Sequence, residues 1–247
     1  MLIMEVPYHL DERLEPFTTG LSADRTATSA LPAGSPWQRM AVLYEHVAQQ
    51  VAEQGAPGLI VSGDCTTRLG VLAGLQRRGQ HPGIVWFDAH ADFHTEASTT
   101  SGYLGGMPLA LAAGVGTLTL PTALGLSPVP ASRILLVDAR DTDLGEEPLL
   151  DGAGIGRTGV NNLAETFPAG GLYLHIDVDV CTPEEVPGLQ YPVPGGLTVA
   201  ELVNAVQEVM TTGRVAAVGI AATWHHDGSP APAQGHLMQR LHQAITT

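Results

Sequence analysis

Five short apolar runs constrain this chain more than any other feature: PGLIVSGD (57–64), GIVWFDAH (83–90), RILLVDAR (133–140), GLYLHIDVDV (171–180) and RVAAVGIAATWH (214–225). They are continuous rather than alternating, which marks strands buried on both faces. Helix-compatible stretches follow them. TTRLGVLAGLQRRG (66–79) and TVAELVNAVQEVMTTG (198–213) carry apolar residues at helical spacing, and the second opens on Thr198 with Glu201 three residues on, a capping-box pattern. PAPAQGHLMQRLHQAIT (230–246) reads as a terminal helix with proline in its first turn. The alternation predicts an α/β fold: one three-layer α/β/α domain over residues 1–247 with a mainly parallel sheet. Patches rich in Pro and Gly at 31–36, 121–130 and 183–196 read as loops, and 44% hydrophobic residues supply a sizeable core.

In such sheets ligands bind outside the carboxyl ends of the strands, and the acidic residues cluster there. Within WFDAHADFHT (86–95), Asp88, His90 and Asp92 stand two apart, so an extended strand would send all three side chains the same way. Asp177 and Asp179 repeat the spacing at another strand end, and Asp64 and Cys65 close a third. Carboxylates held in this way can bridge two cations about 3.5–4 Å apart. The alternative is that these acids cap helices or pair with arginines. Only 11 basic residues exist to pair with 25 acidic ones, and a buried charge must be paired or metal-bound.

The net charge of -14 argues against nucleic-acid and anionic-membrane partners, which need Lys and Arg, and it repels acidic substrates. The segment MLIMEVPYHL lacks the basic start and apolar centre of a secretion signal, and no run approaches the roughly 18 apolar residues of a spanning helix. Two cysteines, Cys65 and Cys181, suit a reducing compartment. The expectation is a cytoplasmic protein acting on a small molecule.

The stretches SGDCTT (62–67), DAHADFH (88–94), SGYLGGMP (101–108), HIDVDVCTPEEVPGLQYPVPGGLT (175–198) and TWHHDG (223–228) follow the order and separations of the arginase and agmatinase family of ureohydrolases, which this chain resembles. The resemblance runs from about residue 57 to 227 and includes GMP and PGGLT, which bind no metal. It implies an arginase-like fold, trimers or hexamers, and two manganese ions held by Cys65, Asp88, His90, Asp92, Asp177 and Asp179. One ion would keep its full set (Asp88, His90, Asp177, Asp179). The other would have Asp88, Asp92 and Asp177, with Cys65 where the family has an imidazole. A thiolate is soft and favours zinc or ferrous iron over manganese, so one or two ions are open.

The resemblance breaks at the catalytic positions. The family's proton-shuttling histidine falls on Gly105, and its late glutamate, which receives a guanidinium, falls on Trp224 or a close neighbour. Arginine is therefore a poor guess for the substrate. His94, His225 and His226 are candidates to move the proton, because imidazole titrates near neutrality, with Asp92, His94 and His225 taken as the catalytic set. His94, Ser101, Tyr103 and Trp224 are the candidate substrate wall. His175 is expected to be a packed core residue one pleat deeper, Cys181 to share the rim with Cys65, and Tyr8 and His9 to lie near the mouth. Two functions compete: a metal-dependent hydrolase of a non-peptide C–N bond in an amidine, guanidine or related small molecule, and a catalytically silent arginase-like binding or assembly module.

Overall fold

The computed structural model describes residues 1–54, 58–226 and 231–247. Pro57 of the first apolar run, Asp227 and Gly228 of TWHHDG and Pro230 ahead of the terminal helix lie outside the described residues. Eight strands form the main sheet: β1 (Leu2–Val6), β2 (Arg25–Thr26), β3 (Gly58–Ser62), β4 (Gly83–His90), β5 (Ile134–Asp141), β6 (Gly156–Thr158), β7 (Leu172–Asp177) and β8 (Val215–Ala221). Their order across the sheet is β2-β1-β3-β8-β7-β4-β5-β6, and every pair is parallel. A two-stranded hairpin, Tyr8–His9 with Glu12–Arg13, sits apart from it.

The continuous apolar runs are buried on both faces as their composition predicts. Ile60, Ile84, Trp86, Leu136 and Tyr173 face one core, with Met40, Leu43 and Tyr44 of helix α1 (Pro36–Glu53) and Leu69 and Leu72 of α2 (Arg68–Arg77). Short helices α3 (Pro108–Ala112), α4 (Thr119–Ala123) and α5 (Glu147–Ala153) add to that side. The alternate residues Leu59, Val61, Val85, Phe87, Leu174 and Ile176 face the other core, covered by α6 (Val199–Thr211) and α7 (Pro232–Thr246). The helix starts follow local chemistry. Thr198 Oγ1 accepts from Glu201 N–H while Glu201 Oε2 accepts from Thr198 N–H at 2.8 Å, the capping box seen in the sequence. Among the described residues no helix is long and apolar enough to cross a membrane.

The middle five strands, β3, β8, β7, β4 and β5, are contiguous and parallel, so their carboxyl ends share one edge. That adjacency brings together motifs far apart in the chain.

Candidate metal centre

One cavity of about 180 Å³ opens at this edge. The loop after β3 lines it with Asp64 and Cys65, the end of β4 with Asp88, His90 and Asp92, the end of β7 with Asp177 and Asp179, and the residues past β8 with Thr223. All six positions read as metal ligands thus come to one place.

Asp88, Asp177 and Asp179 are each aimed by specific donors. Asp88 Oδ1 accepts from His90 N–H at 2.8 Å and its Oδ2 from the Trp86 indole N–H at 3.0 Å. Asp179 Oδ1 accepts from Ala89 N–H at 3.2 Å, which ties β7 to β4. Asp177 Oδ1 accepts from Asp179 N–H at 3.0 Å and from the Thr223 hydroxyl. His90 Nδ1 lies 3.1 Å from Asp179 Oδ2 and 3.5 Å from Asp88 Oδ1. Cys65 Sγ lies 2.9 Å from Asp177 Oδ2 and 3.8 Å from Asp88 Oδ2.

The convergence does not come from strand alternation. β4 ends at His90, its register with β5 shifts between Asp88 and His90, and Asp92 turns back toward the cavity through a left-handed backbone with φ +52°. Leu109 and Ala110 N–H, opening α3, bond Asp92 O and hold that bend. Asp179 likewise lies in the 3-10 turn Val178–Val180 that follows β7. A left-handed aspartate is uncommon and persists where surrounding structure demands it.

The electrostatics favour a bound cation. Burial, then Asp179, pushes Asp177 up to about 7, and burial, then Asp88, pushes Asp179 up to about 6. Asp88 is raised by burial and Asp177, and Asp92 well above the carboxylate range by burial and Asp88. Burial would depress His90, but its bonds to Asp179 and Asp88 outweigh that and push it up to about 12. Cys65 is raised well above a normal thiol by burial, then Asp177, Asp92 and Asp88. Asp92 is 7% exposed, yet its Oδ2 has no hydrogen-bond partner among the described residues. Carboxylates that repel one another, with an orphaned oxygen facing the same cavity, fit divalent ions: oxygen and imidazole donors suit manganese, and the thiol brings in zinc or iron.

Arg140 ties the acidic turn after β7 to the proline-rich loop 183–196. Its guanidinium pairs with Asp138 and donates to Asp179 O at 3.1 Å, Val180 O at 3.2 Å and Val193 O at 3.1 Å. Gly196, in PGGLT, has φ +99°, and a Cβ there would lie 2.6 Å from Val180 O and 2.7 Å from Arg140 Nη2. The glycine that binds no metal is required by this close approach.

Three acidic cavity residues escaped the sequence reading: Asp141, Asp143 and Glu146, at and beyond the end of β5. The signal was available, because RILLVDAR runs straight into DTDLGE, a second pair of acids two apart at a strand end. Glu146 is buried, with Oε1 accepting from Phe93 N–H at 2.8 Å. His94 joins this wall, its Nε2 2.9 Å from Asp143 Oδ2 and its Nδ1 3.0 Å from Ser98 Oγ. Ser101 and Tyr103 also line the cavity.

Several expectations need correction. Trp224 is fully buried in the second core and its indole N–H donates to Thr18 O, so it forms no part of the wall. His225 is exposed and does not line the cavity; its backbone N–H bonds Gly188 O. His226 packs on Phe17 with ring centroids 4.7 Å apart, and its Nε2 lies 3.1 Å from Ala222 O. Cys181 belongs to the second core while Cys65 belongs to the first, and both thiols are free. His175 is buried as expected, but it reaches the site: its Nε2 lies 3.2 Å from Cys65 Sγ. Burial, then Arg68, lowers its pKa well below the usual imidazole value and keeps it neutral. His9 stands behind the mouth with Nε2 3.1 Å from Tyr103 Oη, while Tyr8 is buried against Ser29.

A family model described as the Arginase family matches residues 7–222. The chain is similar to the arginase of Bacillus caldovelox, 33% identical over 167 residues that make up 62% of this chain and 56% of that protein. It is similar to human arginase-1 at 30% identity over 218 residues, 77% of this chain and 68% of the human protein. Its matches to three bacterial arginases span only 56 to 58% of those proteins' lengths. A solved arginase from Bacillus subtilis superposes with a TM-score of 0.83 at 21% identity, covering 99% of this chain and 97% of that one. A formimidoylglutamase from the same species superposes with a TM-score of 0.74 at 14% identity, covering 99% and 85%. The eight-stranded parallel sheet with helices on both faces is the arginase-like α/β fold. The chain belongs to the Arginase family.

Proposed function

We propose that this chain is a metal-dependent hydrolase of a non-peptide C–N bond in a small guanidine, amidine or related molecule, built as one arginase-like domain over residues 1–247. The observation that carries this reading is the buried cluster of Asp88, Asp92, Asp177 and Asp179 around His90, with Asp92 Oδ2 lacking a partner among the described residues. Asp88, His90, Asp177 and Asp179 would hold one divalent ion, and Asp88, Asp92, Asp177 and Cys65 the other. Bound ions would lower the pKa of water and supply the nucleophile.

The chain's own groups would do the rest. Asp141, Asp143 and Glu146 make the far wall acidic, which favours a substrate whose remote end is cationic and excludes one that presents a carboxylate there. His94, fixed between Asp143 and Ser98, is the imidazole placed to hold or pass a proton inside the cavity. Tyr103, backed by His9, would close the mouth against water. With no carboxylate between Ala222 and His226, a guanidinium would lack a counter-charge on that side, which argues for a substrate other than arginine. As the resemblance implies, the protein would be a cytoplasmic homo-oligomer, a trimer or hexamer.

The silent-module reading draws on one observation: the ring of Tyr103 fills the space a side chain on Gly105 would take, so a histidine cannot stand there in this structure. The test is a panel of linear amidines, guanidines and ureas offered to protein loaded with manganese, zinc or ferrous iron. Release of ammonia or urea from a cationic member supports the hydrolase. No release from any member with any metal favours the module.

A further inference from the structure

Resting on the metal centre proposed above, we infer that His175 supplies the imidazole that position 65 lacks and joins Cys65, Asp88 and Asp177 around the second ion, a donor set suited to zinc or ferrous iron. His175 Nε2 lies 3.2 Å from Cys65 Sγ, which lies 2.9 Å from Asp177 Oδ2 and 3.8 Å from Asp88 Oδ2. The donor atoms of Cys65, Asp88 and His175 all fall within 4.8 Å of one another. In a tetrahedral zinc site, with Zn–S about 2.3 Å and Zn–N about 2.0 Å, donor atoms stand roughly 3.3–3.8 Å apart. Cys65, Asp88 and His175 already sit near that spacing, and Asp177 meets the group through Cys65.

One tryptophan holds two of the donors. The His175 ring packs on Trp86 with centroids 3.7 Å apart, and the same indole donates to Asp88 Oδ2 at 3.0 Å. Partners that orient ligands in this way are part of how a metal site is tuned. The second, independent sign of a ligand is Asp92 Oδ2, buried, without a partner among the described residues, and turned to the same cavity. A thiolate beside an imidazole is a soft pair, which selects zinc or ferrous iron over manganese. Binding breaks the Cys65 S–H bond and forms a sulfur–metal bond, with the proton passing to solvent.

The test uses cobalt(II) alone as the probe, titrated into the full metal-free chain. Wild type is expected to show a near-ultraviolet thiolate-to-cobalt charge-transfer band and the strong visible absorption of four-coordinate cobalt. Cys65→Ser should abolish the charge-transfer band. His175→Ser should keep the band, weaken cobalt binding at this site about tenfold or more and lower the visible intensity. Should a variant misfold, X-ray absorption of zinc-loaded wild type needs no substitution and should give one sulfur at about 2.3 Å and imidazole nitrogen at about 2.0 Å. Cobalt bound without the charge-transfer band, zinc with no sulfur neighbour, or a folded His175→Ser that binds cobalt as wild type does overturns this inference and leaves the wider metal reading standing. Failure to bind cobalt at all removes both.

Discussion

The aromatic ring of Tyr103 covers Gly105 so closely that a Cβ built on the glycine would collide with its Cε1, Cζ and hydroxyl atoms. The ring is held from behind by His9, whose Nε2 is 3.1 Å from the hydroxyl, and from the side by Tyr191, with centroids 5.2 Å apart. Gly105→His should therefore destabilise the fold by about 1–3 kcal/mol, the usual cost of overpacking. On a Tyr103→Gly background, which itself loses the contacts to His9 and Tyr191, the same histidine should cost much less. Urea denaturation of wild type, both single variants and the double variant measures it, and an equal cost of the histidine on both backgrounds would show that the ring moves aside freely.

Asp92 trades stability for function. Its buried carboxyl faces Asp88, Asp177 and Asp179 and carries an oxygen with no partner among the described residues. Asp92→Asn removes a carboxyl whose ionised form the folded site disfavours, and asparagine tolerates the left-handed backbone. Metal-free Asp92→Asn is expected to melt several degrees above metal-free wild type while binding divalent ions more weakly. A lower melting temperature in the metal-free variant would mean that Asp92 is paired in solution.

The metal-free protein should lose stability as pH rises. Asp177 at about 7 and Asp179 at about 6 lie above the ordinary aspartate value of 3.8, so the folded chain keeps protons that the unfolded chain has released. Their contribution is fully present below the unfolded value and is lost as pH climbs through about 6 and 7. His90, raised from 6.5 to about 12, acts in the same direction above neutrality. The melting temperature of metal-free protein is expected to fall from about pH 5 to about pH 8, and saturating divalent metal should flatten the slope. A rising curve without metal would contradict the burial of this cluster.

Arg140 should matter to metal affinity without touching metal. It spans Asp138 and the carbonyls of Asp179, Val180 and Val193, joining the acidic turn to the proline-rich loop. Arg140→Ala should weaken divalent metal binding about 10- to 100-fold, the range for lost supporting contacts. Gly196→Ala, which presses on the same carbonyl and guanidinium, should act in the same direction. Calorimetric titration separates this from simple unfolding.

Much of this architecture was legible in the sequence because it is written in local patterns. The continuous apolar runs gave β3, β4, β5, β7 and β8, and the Thr198–Glu201 pair gave the start of α6. Strands β1, β2 and β6 escaped. Arg25–Thr26 and Gly156–Thr158 are too short and polar to show a period, and LIMEV is too short an apolar run to separate strand from helix. At the site, the acids were found but the means of their convergence was not: nothing in DAHAD announces a left-handed Asp92. The approach of His175 to Cys65 was hidden because it depends on strand order. β8 lies between β3 and β7, so the two residues meet across an intervening strand that neither motif mentions. Trp224 misled for the opposite reason, since its neighbour Thr223 faces the cavity while the indole turns into the core.

Elemental analysis tests the central claim most directly, on protein purified without chelator or added metal beside an Asp88→Asn/Asp177→Asn variant. At least one first-row divalent ion per wild-type chain, and its loss in a folded variant, is the expected result. A folded wild-type chain that carries no such ion, and takes up none when manganese, zinc or ferrous iron is supplied, would contradict it.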